Sequence, residues 1–184
     1  FVSGEGPDSI LRGVTITGGS GDTEMTPDRV GGGVFCYLTS PVIEHCVIEG
    51  NQAVGGAGLF GTSCAVTVRH CVIRDNATSG LGLPGNSGGG GMGFYNGSPT
   101  IEHCTIVNNS STTDGGGMAF LISGPSIVNC LIANNTASLG GGLSLTQCIG
   151  SVSRSTIVYN SVNAPPTYGG GARCDQSSSM NFTD

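Results

Sequence analysis

Three histidines, eight cysteines and one dense group of acids are the residues of this sequence that could do chemistry. His45, His70 and His103 each stand directly before a cysteine: Cys46, Cys71 and Cys104. Imidazole and thiolate together suit zinc and similar metals, and imidazole alone suits proton relay. Cys46, Cys71, Cys104 and Cys130 recur in one position of a repeated block, which invites a disulfide or metal ladder. The acids are Asp22, Glu24 and Asp28, with Arg29 beside them. Clustered carboxylates next to a cation suit calcium binding and the acid–base cleavage of polysaccharides. These four are the candidate ligand-binding residues, and calcium is the one cofactor they suggest. No nucleophile–base pair or other catalytic set is recognisable.

What must position these residues is a repeat. A glycine triplet followed by an apolar residue occurs at Gly31-Gly32-Gly33-Val34 and ends again on Leu59, Met92, Met118, Leu143 and Ala172. A second block reads Ile/Val-x-x-Cys-x-Ile-x-x-Asn, as in Ile43/Cys46/Ile48/Asn51 and Ile101/Cys104/Ile106/Asn109. A degenerate first copy reads Leu11/Val14/Ile16/Gly19. From the apolar residue to the Cys position is 12 residues in all five complete copies, the last of which has Ser155. The stretch from Asn to the next triplet holds four, twelve, five, four and eight residues in turn. A rigid coil is therefore repeated, and length changes collect at one corner.

Glycine, few helix formers and β-branched blocks exclude helical repeats. Cys46 and Ile48 are two apart and share a strand face. Ile43 and Cys46 are three apart, so a bend must lie between them if both point inward. The expectation is a right-handed parallel β-helix, all-β, with about six coils of 25–33 residues and two or three strands per coil. It fills 1–184 as one domain: a leader at 1–30, repeats at 31–168 and an incomplete last coil at 169–184, read as part of a longer chain.

Stacked coils give each recurring residue a partner above and below. Asn51, Asn76, Asn109, Asn135 and Asn160 should form an inward amide ladder. A lone buried amide would cost about 1–3 kcal/mol. Cys46, Cys71, Cys104 and Cys130 should be a stack of free buried thiols, because strand spacing exceeds the roughly 3.8 Å between Cβ atoms that a disulfide prefers. The other cysteines pair by column as Cys36 with Cys174 and Cys64 with Cys148, too many coils apart to bridge. The histidines should stack at a solvent-facing corner flanked by Glu44, Arg69 and Glu102. A straight column converges poorly on a metal, so a polar surface ladder is the preferred reading. The acids read more simply as a solvated loop.

The string Ser98-Pro99-Thr100-Ile101-Glu102-His103-Cys104-Thr105-Ile106-Val107-Asn108-Asn109, closing on Gly115-Gly116-Gly117-Met118, resembles the repeats of bacterial right-handed parallel β-helix proteins. It is also similar to the Gly-Gly-x-apolar repeats of polymorphic outer membrane proteins, although Ile stands where that pattern has an aromatic residue. The resemblance implies a secreted or cell-surface bacterial protein and an asparagine-laddered, pectate-lyase-like fold. It implies no reaction, since the fold hosts enzymes, adhesins and fibres alike.

Six Lys and Arg in total, with a net charge of −6, argue against nucleic acid as a partner. No apolar run reaches the roughly 20 residues of a membrane span. Two functions remain. One is a structural or adhesive segment whose partners are neighbouring coils or chains, or a surface glycan. The other is a carbohydrate-active enzyme, a lyase, hydrolase or epimerase, with its site on the variable corner loops 20–30, 77–88 and 161–168 or outside this chain. The first is preferred, with no cofactor and no catalytic residue within these coils.

Overall fold

A computed structural model describes residues 1, 3–21, 30–79, 88–163 and 168–184. Asp22, Glu24, Asp28 and Arg29 lie outside the described residues, as does most of the loops 77–88 and 161–168. Among the described residues every element is a short strand, and every strand pairing is parallel. Four sheets of six, seven, six and five strands run along the stack. The chain is a parallel β-solenoid with five complete coils and half a coil at either end.

Each complete coil has four strands, not two or three. The first complete coil runs through Val34–Tyr37, Val42–Glu44, Val47–Glu49 and Gln52–Ala53. The additional strand lies in the variable linker and holds only two residues per coil. It repeats at Ala77–Thr78, Ser110–Ser111, Thr136–Ala137 and Ser161–Val162.

The repeat columns become cross-strand partners in strict register. Val34, Leu59, Met92, Met118, Leu143 and Ala172 are successive partners in the first sheet. Ile43, Val68, Ile101, Ile127 and Val152 do the same in the second. Ile48, Ile73, Ile106, Ile132 and Ile157 do so in the third. These side chains fill the interior, and nearly all are fully buried. Phe94 and Phe120 stack in adjacent coils with centroids 5.4 Å apart and planes 7° from parallel.

Four corners close each coil, and each corner uses one residue with positive φ. Leu38, Ser63, Asn96, Ile122 and Gln147 turn the first, at φ between 50° and 55°. His45, His70, His103, Asn129 and Arg154 turn the second, between 48° and 53°. Gly50, Asp75, Asn108, Asn134 and Tyr159 turn the third, between 54° and 62°. The first glycine of each triplet turns the fourth. A left-handed residue re-aims the chain in one step and throws its own side chain outward, so both neighbours can face the core.

The remaining glycines of the triplet serve close approach. A Cβ on Gly32 would lie 2.5 Å from the carbonyl oxygens of both Ala57 and Gln52. A Cβ on Gly33 would lie 2.6 Å from Gly58 O and 2.9 Å from Asn51 Nδ2. The fourth corner is thus packed backbone on backbone against the amide ladder.

Candidate functional site

Most residues with chemical potential sit in inward corner ladders. The asparagines form the first. Asn51, Asn76, Asn109 and Asn135 each donate from Nδ2 to the Oδ1 of the next asparagine at 3.0 Å. Each also donates its backbone N–H to that same oxygen, at 2.9 to 3.1 Å. The second amide proton goes to a carbonyl one coil back, Ile48 O for Asn76 and Ile73 O for Asn109. Gly19 occupies the asparagine position of the degenerate copy and donates its N–H to Asn51 Oδ1. A side chain there has no room, because a Cβ would fall 1.8 Å from Gly32 O.

The second ladder is the thiol column. Cys46, Cys71, Cys104 and Cys130 are all buried and free. Each thiol lies 3.2 to 3.3 Å from the carbonyl two residues before it and reaches a second carbonyl one coil back. Ser155 continues the pattern, with Oγ donating to Ser153 O and accepting from Cys130 N. Burial pushes the Cys46 thiol up. Hydrogen bonds to Cys130 and Cys71, with burial added, keep the Cys104 thiol protonated. The hydrogen bond with Cys104 lowers the Cys71 and Cys130 thiols against the effect of burial, and all four sulfurs are committed to contacts within the stack.

A further ladder was not read from the sequence. Thr39, Cys64, Gly97, Ser123, Cys148 and Ser178 succeed one another at the first corner. Ser123 Oγ donates to Leu121 O, Cys148 Sγ to Thr146 O and Ser178 Oγ to Leu145 O. These residues share small size but no residue type, and all except Gly97 carry one polar side-chain atom.

Outside, the three histidines stack as the sequence implied. Ring centroids are 5.0 Å apart for His45–His70 and 4.9 Å for His70–His103, with planes within 12° of parallel. Asn129 Nδ2 follows, 3.4 Å from His103 Nε2. Parallel rings project their lone pairs in parallel, so they do not converge on one ion. No group of three or more metal-ligating side chains occurs among the described residues.

No family model, curated protein or solved structure matches this chain. Its chemistry therefore has to be read from its own surface. Beside the histidines, Glu44 is buried between two guanidinium groups. Arg69 Nε meets its Oε2 at 2.6 Å, and Arg12 Nε holds its Oε1 from the coil before. Arg12 was missed in the sequence because it belongs to the degenerate copy. On the next face Arg74 bonds Glu49 at 2.6 Å. At the far end Arg173 bridges Asp114 and Asp175. Burial raises the Asp114 carboxyl above its ordinary range, and Arg173 opposes that. On the first sheet half-buried Phe35 stacks on buried Phe60 at 6.3 Å, with exposed Tyr37 beside it.

Glu44 gives a pH prediction. The hydrogen bond from Arg69, reinforced by Arg12 and opposed by burial, holds its carboxyl below the usual range. A depressed carboxyl contributes stability above its unfolded pKa of about 4.3 and loses it as pH falls through the lower folded value. Glu44→Gln should lower the denaturant midpoint at neutral pH. The two proteins should converge as pH falls below the unfolded value of about 4.3 and through the lower folded one. A gap that stays constant from neutral to acid pH would remove Glu44 from the account.

Proposed function

We propose that this chain is a structural, surface-presenting segment of a secreted or cell-surface protein, and that its coils catalyse no reaction. The observation that carries this reading is the uninterrupted amide ladder from Asn51 to Asn160. With the thiol ladder beside it, it commits the most chemically capable side chains to holding coil on coil. A stack bonded along its whole length serves as a stiff spacer, and such spacers present outward columns at strand spacing. The adhesive part of the proposal rests on exposed Tyr37 and half-buried Phe35, whose rings suit the apolar faces of sugars, with buried Phe60 backing Phe35. Bacterial origin and kinship with polymorphic-outer-membrane-type repeats belong to the same proposal, on the strength of the repeat strings.

The test is a turnover assay on the full chain with uronate and neutral polysaccharides, with and without calcium, beside a glycan-binding array. No new reducing ends or unsaturated products are expected. Array binding should be lost on Tyr37→Ala. Release of oligosaccharide from any substrate would overturn the structural reading in favour of a carbohydrate-active one. Retained glycan binding in the variant would overturn the adhesive part.

A further inference from the structure

An open groove of about 560 Å³ runs along the first corner, in the size range of small-molecule sites. Gly4, Glu5, Leu38, Ser63, Cys64 and Asn96 are among the residues that line it. Cys64 is 5% exposed at its floor, and Cys36 is fully buried behind it. Column reasoning pairs Cys36 with Cys174 and Cys64 with Cys148, coils apart. The fold brings together a different pair.

Cys36 is the register partner of Gly61 in the next coil. Gly61 stands in an inward column that otherwise holds Cys36, Phe94, Phe120, Leu145 and Cys174. The space left by its missing side chain is shared by Cys64 and the ring of Phe94, with Cys64 Sγ and the ring edge each 2.7 Å from where a Gly61 Cβ would be. Cys36 and Cys64 are therefore neighbours from different columns of adjacent coils, close enough for Cys64 to act on the Cys36 thiol. In the thiol column at the second corner each sulfur is held by two carbonyls, while the Cys64 sulfur takes a backbone hydrogen bond from Val66. Cys148, the coil equivalent of Cys64, also has its sulfur held, 3.3 Å from Thr146 O and 3.4 Å from Phe120 O.

We propose that Cys64 and Cys36 are a redox-active dithiol at the floor of this groove, oxidised to a disulfide by a small disulfide such as oxidised glutathione. Cys64 lines the groove, so its thiolate attacks one sulfur of the oxidant. A mixed disulfide forms and one glutathione leaves as thiolate. Cys36 then gives up its proton to that thiolate and attacks Cys64 Sγ, which expels the second glutathione. Two protein thiols are oxidised, and one oxidised glutathione is reduced to two thiols. The order follows from access, since burial raises both thiols but only Cys64 lines the groove. Burial, and then the neighbouring Cys64, push the Cys36 thiol up to about 12, so Cys36 is the resolving group.

The full chain should be incubated with oxidised glutathione at mildly alkaline pH, unfolded without reductant, alkylated and mapped by mass spectrometry. A Cys36–Cys64 link is expected, with Cys71 and Cys104 alkylated in the same sample as internal controls. In Cys36→Ser, Cys64 should retain one glutathione. Alkylation of both Cys36 and Cys64 in the treated wild type, or Cys64 linked to any other cysteine, would overturn the proposal. So would a folded Cys36→Ser protein that carries no glutathione on Cys64. The wild-type map decides even if that variant does not fold.

Discussion

Gly117→Ala is expected to cost about 4 kcal/mol or more, enough to abolish cooperative folding in a marginal protein. Gly117 is the last glycine of its triplet and has an ordinary φ, so backbone strain is not the cause. The new Cβ would lie 2.6 Å from Gly142 O and 3.1 Å from Asn135 Nδ2. Neither can retreat, because Gly142 is the same position one coil on and Asn135 is a ladder residue. Gly13→Ala makes the comparison. Gly13 has φ +69° but nothing within 4 Å of its Cβ position. It should cost only the left-handed penalty, about 1–2 kcal/mol. Urea titration of both variants measures this. Equal losses would mean that conformational freedom, not close approach, explains the triplets.

Asn109→Ala should cost about 3 to 5 kcal/mol. Asn109 Nδ2 donates to Ile73 O, Val107 O and Asn135 Oδ1. Its Oδ1 accepts from Asn76 N and Asn76 Nδ2. Truncation strands a buried N–H, an amide proton and a carbonyl at once, and unmade buried bonds cost more than made ones contribute. Asn163 is exposed, outside the ladder, and its backbone N–H is bonded to Ala137 O. Asn163→Ala should stay within about 0.5 kcal/mol of wild type. Denaturant midpoints of the two variants are the measurement, and equal midpoints would sink the ladder's energetic role.

The ladders of Asn51–Asn160 and Cys46–Cys130 were legible because each uses one residue type at a fixed offset from the apolar residue after a conspicuous triplet, 17 residues for Asn and 12 for Cys. The stacks of His45, His70 and His103 and of Phe94 and Phe120 followed from the same register. The fourth strand did not. Its inward residues are Ala53, Thr78, Ser111, Ala137 and Val162, mostly small and of mixed polarity. They are small because glycines of the next corner lie almost on their backbone, as Gly32 does on Gln52 O. A strand that buries so little carries no alternation to read. Its position in the variable linker also disguised its recurrence.

The candidate site was less legible. The Thr39–Ser178 column changes residue type at every coil, so only small size and, except at Gly97, a single polar atom mark it. Arg12 reaches Glu44 across 32 residues from a copy that lacks the motif. Cys36 and Cys64 come to be neighbours because Gly61 leaves a gap between columns, and pairing by column cannot find a partner in a different column. The acids Asp22, Glu24 and Asp28 stood out by composition alone, and composition does not place a side chain.

The asparagine ladder also has a direction. At every step the earlier coil gives two protons and the later coil's oxygen receives both. The aligned amides make the solenoid an electrically polar rod, positive toward its later coils. During synthesis each finished coil offers a pair of waiting donors, and the next coil caps them as it closes. Winding from the first coil onward is therefore templated one turn at a time. Two such rods meeting donor face to donor face would repel, whereas head-to-tail contact would extend the same chain of bonds.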